Sequence, residues 1–162
     1  MPTAQRWLIR SLVGGLLACL ALGAWSVGSA VYYANEAEKT LHACITVNDA
    51  IEQYVLDTGG EWPTSWKQLR DWTDSTKSLL NSDYVRGWSD QWIQRVRVDF
   101  AADPAALARL PIKDHKVEDF LAIEPIGPFF SSYDRHFYLI VKALRKFHGP
   151  AAPDAAIVPA MN

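Results

Sequence analysis

The chain has 162 residues, with 16 Lys+Arg against 18 Asp+Glu. That near-neutral balance leaves no electrostatic footprint for nucleic acid. Its two cysteines, Cys19 inside an apolar stretch and Cys44 beyond it, exclude a disulfide framework. Setting aside the first 35 residues and the Ala- and Pro-rich last dozen leaves roughly 110 to 120 residues, the size of one domain built on one core.

From Ser11 to Asn35 there is no charged residue. About 25 residues at 1.5 Å each make a helix near 37 Å, enough to cross a hydrocarbon core with some tilt. Arg6 and Arg10 flank one end and Glu36, Glu38 and Lys39 the other, so the positive-inside bias places residues 1–10 in the cytoplasm and the rest of the chain beyond the membrane. Trp7 and Tyr32-Tyr33 fall where interfacial aromatics belong. Two other readings stay open. Gly28-Ser29-Ala30 offers the small residues of a signal-peptidase site, and Leu16-Leu17-Ala18-Cys19 resembles a lipobox. Gly15, Cys19 and Gly23 recur every four residues and form a face where a second helix backbone can approach closely.

After the span, residues 34–58 contain neither proline nor glycine, and Leu41, Cys44 or Ile45, Asn48, Ile51 and Val55 recur at helical spacing. The spacing predicts an amphipathic helix continuous with the membrane segment, stopped by Gly59-Gly60 and followed by a Trp62-Pro63 turn. Cys44 reads as a small core residue, since nothing adjacent would activate it. Thr64 or Ser65 caps a short helix through about Trp72, and Asp74, Ser75, Asn81, Ser82 and Asp83 mark loops around Leu79-Leu80. Alternation from Trp92 to Phe100 predicts a half-buried strand, with Gln94 the misplaced polar residue on its inner face. Asp103-Pro104 opens a helix through about Leu110, and a second strand from Phe120 to Ile126 pairs with the first. Asp134 caps a last helix ended by Gly149-Pro150, and residues 149–162, rich in Ala and Pro, read as a disordered tail. The expected fold is α+β, a long N-terminal helix packed on a small antiparallel sheet, with the domain over residues 36–148.

Residues 50–64 read AIEQYVLDTGGEWPT, and Leu69 follows in the next helix. This segment resembles the end of the long helix in type IV pilin-like proteins, above all the major pseudopilin of type II secretion. The matching positions are Ala50, Tyr54, Asp57, Gly59, Gly60, Trp62, Pro63, Thr64 and Leu69. The resemblance does not reach the cleavage motif, because no acidic residue lies between Met1 and Asn35. It implies a non-catalytic, single-pass component of a bacterial envelope assembly or secretion system, held in the inner membrane. Its partners are then the membrane and either itself or other pilin-like or secretion subunits.

Other chemistry finds little support. His42, His115, His136 and His148 have no ligand spacing. Asp114-His115 with Glu118-Asp119 reads as a solvated turn, and Trp88-Ser89-Asp90 is a poor match to a calcium-holding loop. No nucleophile elbow is present and Cys44 has no base beside it, so neither an enzyme nor a cofactor is expected. Trp62, Trp66, Trp72, Trp88 and Trp92 crowd into a short stretch. They suit core packing against the long helix; the alternative is a partner or sugar-stacking surface on Trp66, Trp72, Trp88 and Trp92, which would make the protein a membrane-tethered binding module.

Overall fold

A run of good helix formers without an internal proline lets one helix persist from Thr3 to Asp57. This α1 (Thr3–Asp57) is about 80 Å long at 1.5 Å per residue. The computed structural model describes residues 3–76, 90–129 and 134–149. The loop expected around Leu79-Leu80, Trp88, and the tail after Gly149 lie outside the described residues.

The two halves of α1 differ. Between Arg10 and Asn35 every residue but half-buried Ser29 is exposed, including Leu12, Leu16, Leu17, Leu20, Trp25 and Val31. This is the one helix among the described residues long and apolar enough to cross a membrane. It passes through Gly28, Ser29 and Ala30 unbroken. Burial starts at Ala37, and from Thr40 to Leu56 no residue is exposed. The expected apolar face is there in Cys44, Asn48, Ile51 and Val55, and Ala43, Val47, Ala50 and Tyr54 widen it. The upper half is thus the central strut of the domain, touched by helices on several sides and by the sheet. Cys44 is fully buried and Cys19 exposed, and no disulfide joins them.

Helix α1 ends in a Schellman turn. Gly59 has φ 76° and Gly60 φ 98°, and the Gly60 N–H donates to the Val55 carbonyl at 2.8 Å. Helix α2 (Trp66–Thr76) follows. The Ser65 hydroxyl accepts from the Gln68 N–H at 3.2 Å, and the Gln68 side chain reaches back to the Thr64 N–H at 2.7 Å, a variant of the capping box. The helix outlasts its expected end at Trp72, so Asp74 and Ser75 are helical. Thr73 is buried, and the hydroxyls of Thr73, Ser75 and Thr76 bond carbonyls of the preceding turn.

The expected nine-residue strand is shorter. Trp92 lies in α3 (Asp90–Ile93), Gln94 is an exposed turn residue, and β1 covers Val96–Val98. The alternation is real there, with Val96 and Val98 inward and Arg97 outward. Its partner β4 (Ile123–Pro125) is antiparallel, pairing Val96 with Pro125 and Val98 with Ile123. Ladder bonds from Asp99 to Ala122 and from Ile126 to Arg95 extend the pairing by one residue at each end. Between them stands α4 (Pro104–Ala108), capped by Asp103 and with proline at its first turn, as expected. A second, two-stranded ribbon was not expected. In it β2 (Ile112–Lys113) and β3 (Lys116–Val117) are joined through Asp114 and His115, both at positive φ, the geometry of a type I′ hairpin. Helix α5 (Asp134–His148) ends where Gly149 takes φ 83°. It packs along α1 and against α4, and Phe137 stacks on Phe120 at 4.3 Å. The Arg145 guanidinium ties α5 to α4 by donating to the carbonyls of Ala108 and Leu110 at 3.0 and 2.7 Å. The fold is α+β, a long N-terminal helix on a small antiparallel sheet.

Candidate functional site

The segment carrying the resemblance is one connected unit at the far end of α1. Ala50, Tyr54 and Leu69 are buried together in the core, which is what one helix face needs in order to receive α2. Gln68 links the parts. Its amide donates to the Tyr54 hydroxyl at 2.8 Å, and its carbonyl oxygen accepts from the Thr64 N–H and hydroxyl at 2.7 and 2.8 Å. Burial pushes the Tyr54 phenol upward from its ordinary pKa, with a smaller contribution from Glu61. Trp62 is buried, with Pro63 beside it, and its indole N–H donates to the Asp99 carbonyl at 2.9 Å, bridging the turn to the end of β1. Asp57 is exposed. Trp62→Phe removes that hydrogen bond and leaves the Asp99 carbonyl to find another donor. The expected cost is about 1 to 3 kcal/mol, measured by denaturant unfolding of the detergent-solubilised protein.

The tryptophans proposed for a partner surface are only half available. Trp66, Trp72 and Trp92 are half-buried and pack against the core. Trp66 stands edge-on to Phe100 at 5.2 Å, and Trp72 edge-on to Tyr54 at 5.6 Å. Trp72 also borders an open depression of roughly 620 Å³ with Tyr54, Lys67, Gln68 and Asp71. Gly15 and Gly23 face open space and Cys19 is exposed, so the small-residue face of the exposed half of α1 is uncovered within one chain.

The junction between the exposed and the buried half of α1 holds a cluster that sequence reading passed over. The Glu36 carboxylate takes the Lys39 ammonium and the Arg95 guanidinium, one on each oxygen, both at 2.7 Å. Arg95 also points toward the Thr40 hydroxyl at 3.4 Å. Glu36 and Lys39 share a helix face and were legible as a pair, but Arg95 arrives from the sheet, 59 positions away. Hydrogen bonds from Lys39 and then Arg95 hold the Glu36 carboxyl below its usual pKa. A depressed carboxylate stabilises the fold above its unfolded pKa of about 4.3 and loses that contribution as pH falls through the folded value. Glu36→Gln should therefore flatten the acid side of the stability profile and leave the neutral-to-alkaline slope unchanged, as read by unfolding midpoints across pH.

Among the described residues no group of three or more His, Cys, Asp or Glu side chains converges as a metal site. His115 sits at the hairpin turn, edge-on to Tyr138 at 5.0 Å, and the His148 Nε2 lies 2.8 Å from the Gly60 carbonyl. The stretch from Asp114 to Asp119, exposed except for buried Val117, holds the hairpin turn, β3 and the turn after it, and borders an open depression lined mainly by charged residues.

Comparison of the chain with protein-family models, with curated proteins and with solved structures finds no match.

Proposed function

We propose that this protein is a non-catalytic, pilin-like component of a bacterial envelope assembly or secretion system. In this reading the exposed half of α1 crosses the inner membrane with residues 1–10 in the cytoplasm, and the domain stands on the far side. One observation carries it. A single helix serves as the apolar external segment over its first half and as the strut of the domain over its second, so any contact made in the membrane is passed rigidly to the outer surface. The segment that ends this helix, with its Tyr54, Gly59-Gly60 and Trp62-Pro63 elements closed onto α2, adds the resemblance. The open face of Gly15, Cys19 and Gly23 offers such a segment a place to meet another helix.

The test is recovery from native membranes in mild detergent. Co-purification with secretion or pilus subunits is the expected result, and Asp57→Cys, at an exposed position on the outer end of α1, should react with an impermeant maleimide added outside the membrane. Recovery as a lone monomer would replace the proposal with a tethered binding module acting through its tryptophan-bearing side. The open depression beside Trp72 is the feature that favours that second reading. Labelling of Asp57→Cys only after lysis would reverse the orientation.

A further inference from the structure

The underside of the domain is marked by how the sheet lies along α1. Its Asp99 end is held by Trp62, beyond the helix terminus. Its other end, where the Ile126 N–H donates to the Arg95 carbonyl, reaches back to Glu36 and Thr40, where the exposed half of the helix stops. The chain leaving β4 there is apolar: Ile126, Gly127, Pro128 and Phe129 follow Pro125. Gly127 turns with φ 108° and lies against Thr40, a Cβ at its position being 3.9 Å from the threonine hydroxyl. Ile126 is 45% exposed although it sits at this crowded end. Half-buried Trp92 lies three residues before Arg95, its carbonyl accepting from the Arg95 N–H at 3.0 Å.

Helical rise sets the height of this loop. Thr40 is five residues beyond Asn35, the last uncharged residue of the span, which is about 7.5 Å along the axis. The headgroup layer on each side of a bilayer is about 5 to 7.5 Å thick. Exposed Tyr32 and Tyr33 lie just below, in edge-on contact at 5.7 Å, as interfacial aromatics. An average tilt of about 20° toward the loop lowers it further into that layer.

We infer that the loop of residues 126–129 rests on the lipid headgroups as a second membrane contact, fixing the direction in which the domain leans over its anchor. The occupant of this apolar edge is the bilayer itself, because the edge continues the lipid-facing surface of α1 without a gap larger than the headgroup layer. The inference rests on the reading of α1 as a membrane span, and the experiment separates the two.

Full-length protein is reconstituted in phosphatidylcholine vesicles with and without lipids carrying a nitroxide on the acyl chain near the headgroup. A nitrobenzoxadiazole label is placed in turn on native Cys19, on Ile126→Cys in a Cys19→Ala background, and on Leu121→Cys in the same background. Cys44 is fully buried and stays unlabelled in the folded protein. Leu121 is the matched control, 71% exposed next to Ala122, at the Asp99 end of the sheet. The expected result is quenching and blue-shifted emission at Cys19 and at Ile126, with Leu121 unquenched and emitting as in water. Quenching at Cys19 with Ile126 matching Leu121 overturns the inference and leaves the anchor intact. An unquenched Cys19 overturns the anchor and the inference together. Pro128→Cys reads the same loop if Ile126→Cys does not fold.

Discussion

Gly60→Ala is expected to destabilise the protein by about 2 to 5 kcal/mol, combining a left-handed backbone penalty of about 1 to 2 with overpacking of about 1 to 3. Gly60 has φ 98°, and an added Cβ would lie 2.5 Å from the Cβ and 2.9 Å from the Cγ of Phe147. The nearer atom is bonded to the backbone of α5, so no side-chain rotation relieves the contact. The last turn of α5 must move away, taking His148 from the Gly60 carbonyl that it meets at 2.8 Å. Gly59 supplies the control. Its φ of 76° is also left-handed, yet an added Cβ meets nothing within 4 Å. Gly59→Ala should therefore cost only about 1 to 2 kcal/mol, the conformational part alone. Thermal and denaturant unfolding of the two variants in detergent measures the difference. Equal losses at both positions would show that α5 yields freely and that the close approach is not a constraint.

Ile51→Ala is expected to cost about 2 to 5 kcal/mol, the range for deleting a large aliphatic side chain from a core that collapses incompletely. Ile51 is fully buried at the middle of the wrapped half of α1. Partners reach this half of the helix from α2, α3, α5 and the sheet, and because they hold one another in place they cannot all close on the cavity. Leu20→Ala, at an exposed position in the first half of α1, provides the contrast: it should leave the unfolding midpoint of the domain unchanged. Denaturant titration followed by tryptophan fluorescence reads both, since Trp62 is buried and Trp66 and Trp72 half-buried in the affected region.

Much of this architecture was legible because it depends on local chemistry. An uncharged run long enough to cross a bilayer reads directly from residues 11–35. The two glycines that end α1, the Asp103-Pro104 start of α4 and the Gly149 stop of α5 are conformational signals that act over a few residues. The inward valines of β1 kept their alternation. The ends of the elements were less legible. The strand expected from Trp92 shrank because hydrogen bonding to a three-residue partner, and not alternation, decides where a strand exists. The ribbon of β2 and β3 was missed because its Asp-His turn lacks the usual glycine. Its signal was the repeat of apolar and basic residues on either side, Ile112-Lys113 and Lys116-Val117.

The sequence by itself determined that this chain carries one lipid-length apolar helix running on into an amphipathic half that ends at two glycines, because hydropathy and helix breaking are properties of neighbouring residues. Tertiary structure alone decided that the outer half of that helix is covered by helices and sheet, with no residue from Thr40 to Leu56 left exposed. It alone brought Arg95 to Glu36 and placed Phe147 over Gly60, and it turned most of the tryptophan cluster toward the core. Each of these depends on residues far apart in the chain being brought together, which propensity and periodicity do not encode.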